Sequence, residues 1–219
     1  MVKFKRPLSD FSAIVGIDLA SQKTGVTVYS LQTQRFIDFI PVIVKNSEED
    51  RELCLFVQLK ELFANLVATY GKEKDILLVE ERVPNQAGIH STVQTLQALM
   101  GAHWIMRLAV SMTDGIERYD EHGIHSTSVK ALFRTAECPK PQKSDIRKAL
   151  VSLYCLDDTK LTDDISDAVA VVHTLLHKRW NADIDDQIKE VKKEIKKLKM
   201  KNAIEARQIE IQRLLALKI

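Results

Sequence analysis

The chain has 219 residues, 45% of them hydrophobic, with 32 Lys and Arg against 30 Asp and Glu. That supports one sizeable core with an appendage rather than two full domains. A net charge of +2 does not announce a polyanion partner, so only a local basic strip can do so. Cys54, Cys138 and Cys155 have no CxxC spacing and read as reduced thiols. No apolar leader follows the basic first seven residues, and no run approaches a membrane span in this reading. The expectation is a soluble, cytoplasmic protein without a membrane partner.

Residues 13–19 read as a buried strand, short, apolar and β-branched. A polar turn at 21–24 leads to an alternating strand at 25–29, so the two form a hairpin. Residues 35–44, rich in Ile, Val and Phe, read as a third strand. Leu55, Leu59, Leu62, Phe63, Leu66 and Val67 have helical spacing within 47–70. Ser47 with Asp50 is its start signal and Gly71 its stop. A fourth strand is expected at 75–80, an amphipathic helix at 91–110 and a short strand within 115–127. Helices follow at 128–135 and 144–154, joined by a loop with Pro139 and Pro141, and then at 164–179. That order predicts an α/β domain with a mixed sheet covered on both faces.

Residues 183–219 change character. Ile184, Ile188, Val191, Ile195 and Leu198 form a short heptad run with Asn202 at the next seam position, and the register fails at Glu205. The expected division is a domain at 1–180 and a charged helical tail at 181–219. The tail reads as a dimer contact, a cover for the core, or a solvated helix. Glu190 and Glu194 supply helix-spaced partners to its lysines, against a DNA-binding role.

Carboxylates stand at three separated points. Asp18 ends the first strand, Glu80 ends the fourth, and Asp164 with Asp167 opens the last helix. An acid at the edge of a core strand is costly unless something pairs with it. A shared divalent cation is the simplest partner, and an oxygen-rich set suits Mg²⁺ or Mn²⁺ rather than zinc. Two such ions can activate a water and stabilise the leaving oxygen of a phosphodiester. Between 128 and 150, six bases (Lys130, Arg134, Lys140, Lys143, Arg147, Lys148) face two acids, Glu137 and Asp145. Each residue also has a plain reading: Asp18 as a turn acid, Asp164 as a first-turn acid, Lys130 and Lys143 as surface lysines. His173, His177, Trp104 and Trp180 read as ordinary helix or packing residues.

Gly16-Ile17-Asp18-Leu19-Ala20-Ser21-Gln22-Lys23-Thr24-Gly25 resembles the first hairpin of the RNase H-like nucleases. Val79-Glu80-Glu81 resembles their acidic fourth strand, and Asp164-Ile165-Ser166-Asp167-Ala168-Val169-Ala170 the terminal helix of the RuvC branch. Val129-Lys130 and Lys143-Ser144-Asp145-Ile146 resemble two basic positions that RuvC resolvases place by the scissile phosphate. The resemblance spans residues 13–180, and its short size and loose match look like a phage-encoded member.

It implies an RNase H-like fold with a mixed five-stranded sheet. It also implies a homodimeric, Mg²⁺-dependent endonuclease that nicks Holliday junctions, with two ions per site. Asp18, Glu80, Asp164 and Asp167 would hold the metals, with Lys130 and Lys143 at the phosphate. Only one of Glu80 and Glu81 can reach the site, and Glu80 is favoured because it follows the apolar strand directly.

Two departures bear on the substrate. Leu19-Ala20 stands where the bacterial resolvases have Pro-Gly, and Arg82, Val83 and Pro84 stand where they carry an aromatic wedge. Cleavage of branched DNA beyond four-way junctions is therefore expected. The alternatives are an RNase H-like nuclease acting on RNA or other DNA, and a non-catalytic branched-DNA-binding protein. The first hairpin also resembles that of the actin and sugar-kinase ATPases, but the second Gly-rich phosphate loop is missing.

Overall fold

A computed structural model describes residues 6–45, 50–83, 92–119, 123–197 and 201–218. Ser47, Pro84, Ser91, His122 and Leu198, and the side chains of Asn202 and Glu205, lie outside the described residues. The chain divides into two compact units, Met1–Val172 and His173–Ile219.

The first unit is built on a five-stranded sheet. β1 (Phe11–Asp18), β2 (Lys23–Ser30) and β3 (Arg35–Ile43) form an antiparallel meander, while β4 (Asp75–Glu80) and the short β5 (Ile116–Arg118) run parallel to β1. The order across the sheet is β3-β2-β1-β4-β5. β1 and β4 are apolar almost throughout because both of their faces are covered. On one face Ala13, Val15, Ile17, Ile76 and Leu78 join a core with Leu55, Leu59, Phe63 and Leu66 of α1 (Arg51–Tyr70) and Ala102, Met106 and Ala109 of α2 (Val93–Ser111). Each fully buried Leu, Ile or Phe there contributes roughly 1.5–3 kcal/mol.

The other face carries the start of α5 (Asp163–Lys197). The helix sits almost on the strands, and glycine permits it. A Cβ on Gly16 would lie 2.4 Å from Val172 Cγ2 and 2.5 Å from the Ala168 carbonyl oxygen. A Cβ on Gly25 would lie 2.2 Å from the Asp164 carbonyl oxygen. α3 (Ser126–Leu132) and α4 (Lys143–Tyr154) lie between β5 and α5 in the chain. Tyr154 packs edge-on to Tyr29 and Phe36, ring centroids 6.4 and 4.8 Å away, and so ties the end of α4 to the β2–β3 edge.

The second unit is a helical hairpin. Along the part of α5 within it, Trp180 Nε1 donates to the Leu217 carbonyl at 2.9 Å, Asp185 pairs with Lys218 at 2.5 Å and Glu194 with Arg207 at 2.9 Å. From Asp185 to Glu194 the partner falls from Lys218 to Arg207, so α6 (Lys201–Ala216) runs antiparallel to α5. Ile184, Ile188 and Val191 of the heptad run are buried. Glu190 pairs with Lys193 at 2.5 Å, a helix-spaced pair.

Several elements depart from the sequence reading. α5 does not stop at 179 but runs unbroken to Lys197. Trp-Asn-Ala-Asp at 180–183 contains poor helix formers but no Gly or Pro, and the Asn181 amide lies 3.3 Å from His177 Nδ1 on the same helix. Trp104 is not a packing residue: it is 66% exposed, with the Arg107 guanidinium 5.4 Å above its ring. Trp180 is half-exposed. α1 is long and apolar enough by composition to cross a membrane, against the sequence reading. Its Leu55, Leu59, Phe63 and Leu66 face the sheet core, as one stripe of a core helix does.

α1 starts at Arg51, where the Asp50 side chain accepts from the Leu53 N–H at 3.0 Å. Asp50→Ala removes that cap. The expected cost is about 1 kcal/mol, read as a lower urea midpoint at unchanged slope.

Candidate active site

The pleat decides which acids meet. Ile17 pairs with Glu80 across the parallel β1–β4 ladder, so Asp18 stands beside Glu81 one residue further on. Paired residues share a face and successive residues alternate. Asp18 and Glu81 therefore share the α5 face with Ile14 and Gly16. Glu80 shares the opposite face with Ile17 and Leu78, under α1 and α2.

A cleft of about 360 Å³ opens at this end of the sheet. Asp18, Glu81, Ser126, Lys130, Lys143 and Asp167 line it, with His103, Leu99 and Ile146 in its wall. Asp18 comes from the end of β1, Lys130 from α3, Lys143 from the first turn of α4 and Asp167 from the first turns of α5. Asp164, one turn before Asp167, does not line the cleft, but its charge acts on Asp18.

The electrostatics are those of a crowded acidic site. Burial pushes the Asp18 carboxyl up to about 7, and repulsion by Asp167, Glu81 and Asp164 adds to it against the pull of Lys143. Burial likewise raises Glu81, with Asp167 repelling it, while Lys143, Lys130 and a hydrogen bond with Ser126 draw it back. The Lys143 ammonium ion-pairs with Asp167. Burial opposes its charge, but that hydrogen bond and the charges of Asp167, Asp18 and Asp163 hold its pKa above the usual lysine value.

The sequence-predicted residues thus divide. Asp18, Asp167, Lys130 and Lys143 come together, and Asp164 lies close enough to repel Asp18. Glu80 lies apart from them: it is 3% exposed and does not line the cleft. Its Oε2 accepts from His103 Nδ1 at 2.7 Å, and its Oε1 is held by Arg118. Glu81 lines the cleft. His103, Arg118 and Ser126 escaped the sequence reading. His103 had a signal, a histidine on the apolar stripe of α2 between Leu99 and Met106.

Among the described residues, no three His, Cys, Asp or Glu side chains form a ready-made metal cage. The donor chemistry nevertheless fits a hard divalent cation. The set is all oxygen, its members repel one another, and Lys143 is the cation now paired with Asp167.

No family model matches the sequence, and no curated protein matches it. Solved structures do. Thermus thermophilus RuvC in complex with a Holliday junction substrate matches at a TM-score of 0.55 and 13% identity, over 77% of this chain and 93% of that one. A second T. thermophilus RuvC structure matches at 0.54 and 14%, over 77% and 94%. At that identity the likeness establishes the fold alone: a mixed five-stranded α/β fold like that of RuvC, the fold class that the order of the elements predicted.

Proposed function

We propose that the chain is a Mg²⁺-dependent endonuclease that nicks four-way DNA junctions and other branched DNA. One observation carries this reading: on a RuvC-like fold, three acids from three elements and two lysines line a single cleft, with a fourth acid acting on it. The RuvC structure it resembles is bound to a Holliday junction substrate.

In this reading Asp18, Glu81, Asp164 and Asp167 hold the divalent cations. Glu81 replaces Glu80 because it shares the Asp18 face. Bound there, Mg²⁺ supplies an activated water and stabilises the leaving oxygen of the phosphodiester. Asp18 must give up its proton to bind, so cation affinity rises with pH toward and through 7. Lys130 and Lys143 hold positive charge at the cleft rim and neutralise the phosphate as charge develops on it. Ser126 orients Glu81 through its hydrogen bond.

Synthetic four-way junctions, three-way forks and linear duplexes, each incubated with the protein and Mg²⁺, test the substrate. Paired nicks in the junction with weaker nicking of the fork, and an intact duplex, are expected. Cleavage of four-way junctions alone rules out the broader selectivity, and no cleavage in Mg²⁺ or Mn²⁺ rules out the nuclease.

Symmetric nicking needs two sites related by a two-fold axis, so we propose a homodimer. Its best support is α2 with its C-cap, where Met100, Trp104, Leu108 and Met112 recur every four residues and are 47–66% exposed. Such a stripe is costly on a monomer surface. Trp104→Glu is expected to halve the mass measured by light scattering; an unchanged dimer mass counts against α2 as the contact.

A further inference from the structure

Glu80 is a buried acid with no part in the cleft chemistry, yet it is wired to two elements at once. His103 reaches its Oε2 from α2, and Arg118 reaches its Oε1 from the end of β5. The side chains of Glu80 and His103 are 4% and 8% exposed. Removing one partner from such a set leaves a buried charge uncompensated, so its members hold each other in place.

The Glu80 backbone makes a second joint. The Ile124 N–H donates to the Glu80 carbonyl at 2.8 Å, and the Arg82 N–H donates to the Ile124 carbonyl at 2.8 Å. Between them lies Glu81, bridged to Ile124. Gly123, at φ +71°, lets the returning chain pass where a Cβ would come within 2.8 Å of the Glu80 oxygen. Two residues after Ile124, Ser126 bonds Glu81 and opens α3, the helix of Lys130. His103 itself forms part of the cleft wall.

We propose that Glu80, His103 and Arg118 are positioning residues: they clamp the end of β4, and through it hold Glu81, Ser126 and Lys130 at the cleft. This rests on the cation-site reading above. Residues that orient metal ligands typically account for 10–100-fold in metal affinity. Merely structural residues of similar burial do not.

The 219-residue protein is titrated with Mn²⁺ by calorimetry, and its amide exchange is followed without metal. His103→Leu is expected to weaken Mn²⁺ binding by about tenfold or more. It is also expected to speed exchange of the Arg82 and Ile124 amides while that of Val15 stays put. His103→Asn, which keeps an N–H for Glu80 near the Nδ1 position, recovers most of both. Leu66→Ala, a core change in α1, lowers stability and moves neither readout. A folded His103→Leu with wild-type Mn²⁺ affinity and exchange overturns the clamp, as does an equal effect from Leu66→Ala. Should His103→Leu not fold, Arg118→Met asks the same question from β5 with the same expected losses. Wild type that binds no Mn²⁺, or binds it equally well as Asp18→Asn, overturns the cation site itself and the clamp with it.

Discussion

Asp18→Asn is expected to cripple junction nicking and at the same time to stabilise the metal-free protein. Both effects come from one burial. In the unfolded chain Asp18 ionises near 3.8, whereas in the fold it keeps its proton to about 7. Through that window the folded state holds a proton that the unfolded state has lost, so stability falls as pH rises. Above pH 7 the folded protein carries the buried charge, at a cost of up to about 4 kcal/mol. Glu81, also raised, adds to the same slope. Asparagine has the size of aspartate without the charge. In chelator, the variant is expected to melt well above wild type at pH 8, less so at pH 5, and close to it only near pH 4. With Mg²⁺ the order reverses in function: nicking falls by on the order of 10³-fold while junction binding persists, since the lysines remain. A variant less stable than wild type at pH 8 would mean that the acids of the cleft do not strain the fold.

Gly25→Ala is the second change with a large expected effect, though Gly25 carries no chemistry. A Cβ there meets the Asp164 carbonyl oxygen at 2.2 Å, its carbon at 2.3 Å and the Ile165 nitrogen at 2.6 Å. All three are backbone atoms, so no rotamer relieves the clash. α5 must back away from the sheet, which costs about 1–3 kcal/mol in stability. The same retreat moves Asp164 and Asp167. A displacement of about 1 Å in a reacting constellation can cost about 10²-fold in rate. The expected result is a folded protein with a lower melting point and turnover reduced by about that factor. Gly101→Ala is the control. Its added Cβ has only Glu52 Oε1 nearby, at 3.7 Å, and lies within α2, so stability should rise by up to about 1 kcal/mol with nicking unchanged.

The sheet was legible from local pattern. Apolar, β-branched runs at β1, β3 and β4 and the alternation of β2 place each strand within a few residues. The mixed-sheet fold class followed from the order of the elements and is borne out by the RuvC-like match. What local pattern lacked was register. Whether Glu80 or Glu81 meets Asp18 depends on how β4 pairs with β1, a long-range fact that no window of β4 contains. The favoured Glu80 adjoined the apolar run because it belongs to the buried face itself, where His103 and Arg118 hydrogen-bond it. α5 continues past the expected end at 179 because Asn181 and Asp183 are poor helix formers but no Gly or Pro breaks the helix there. Trp104 was misjudged because size suggests burial, whereas its place on α2 is the outward stripe.

The pairing of β1 with β4 also sets how this gene can tolerate change in length. Side chains alternate along β4, so one residue inserted or deleted between 75 and 81 moves every later side chain to the opposite face. The acid that His103 and Arg118 await would then point at α5, and the acid facing Asp18 would point into the core. Lineages of this chain should therefore vary in length ahead of the strand, in the turn at 72–74, and keep the 75–81 segment at constant length while its individual apolar residues drift.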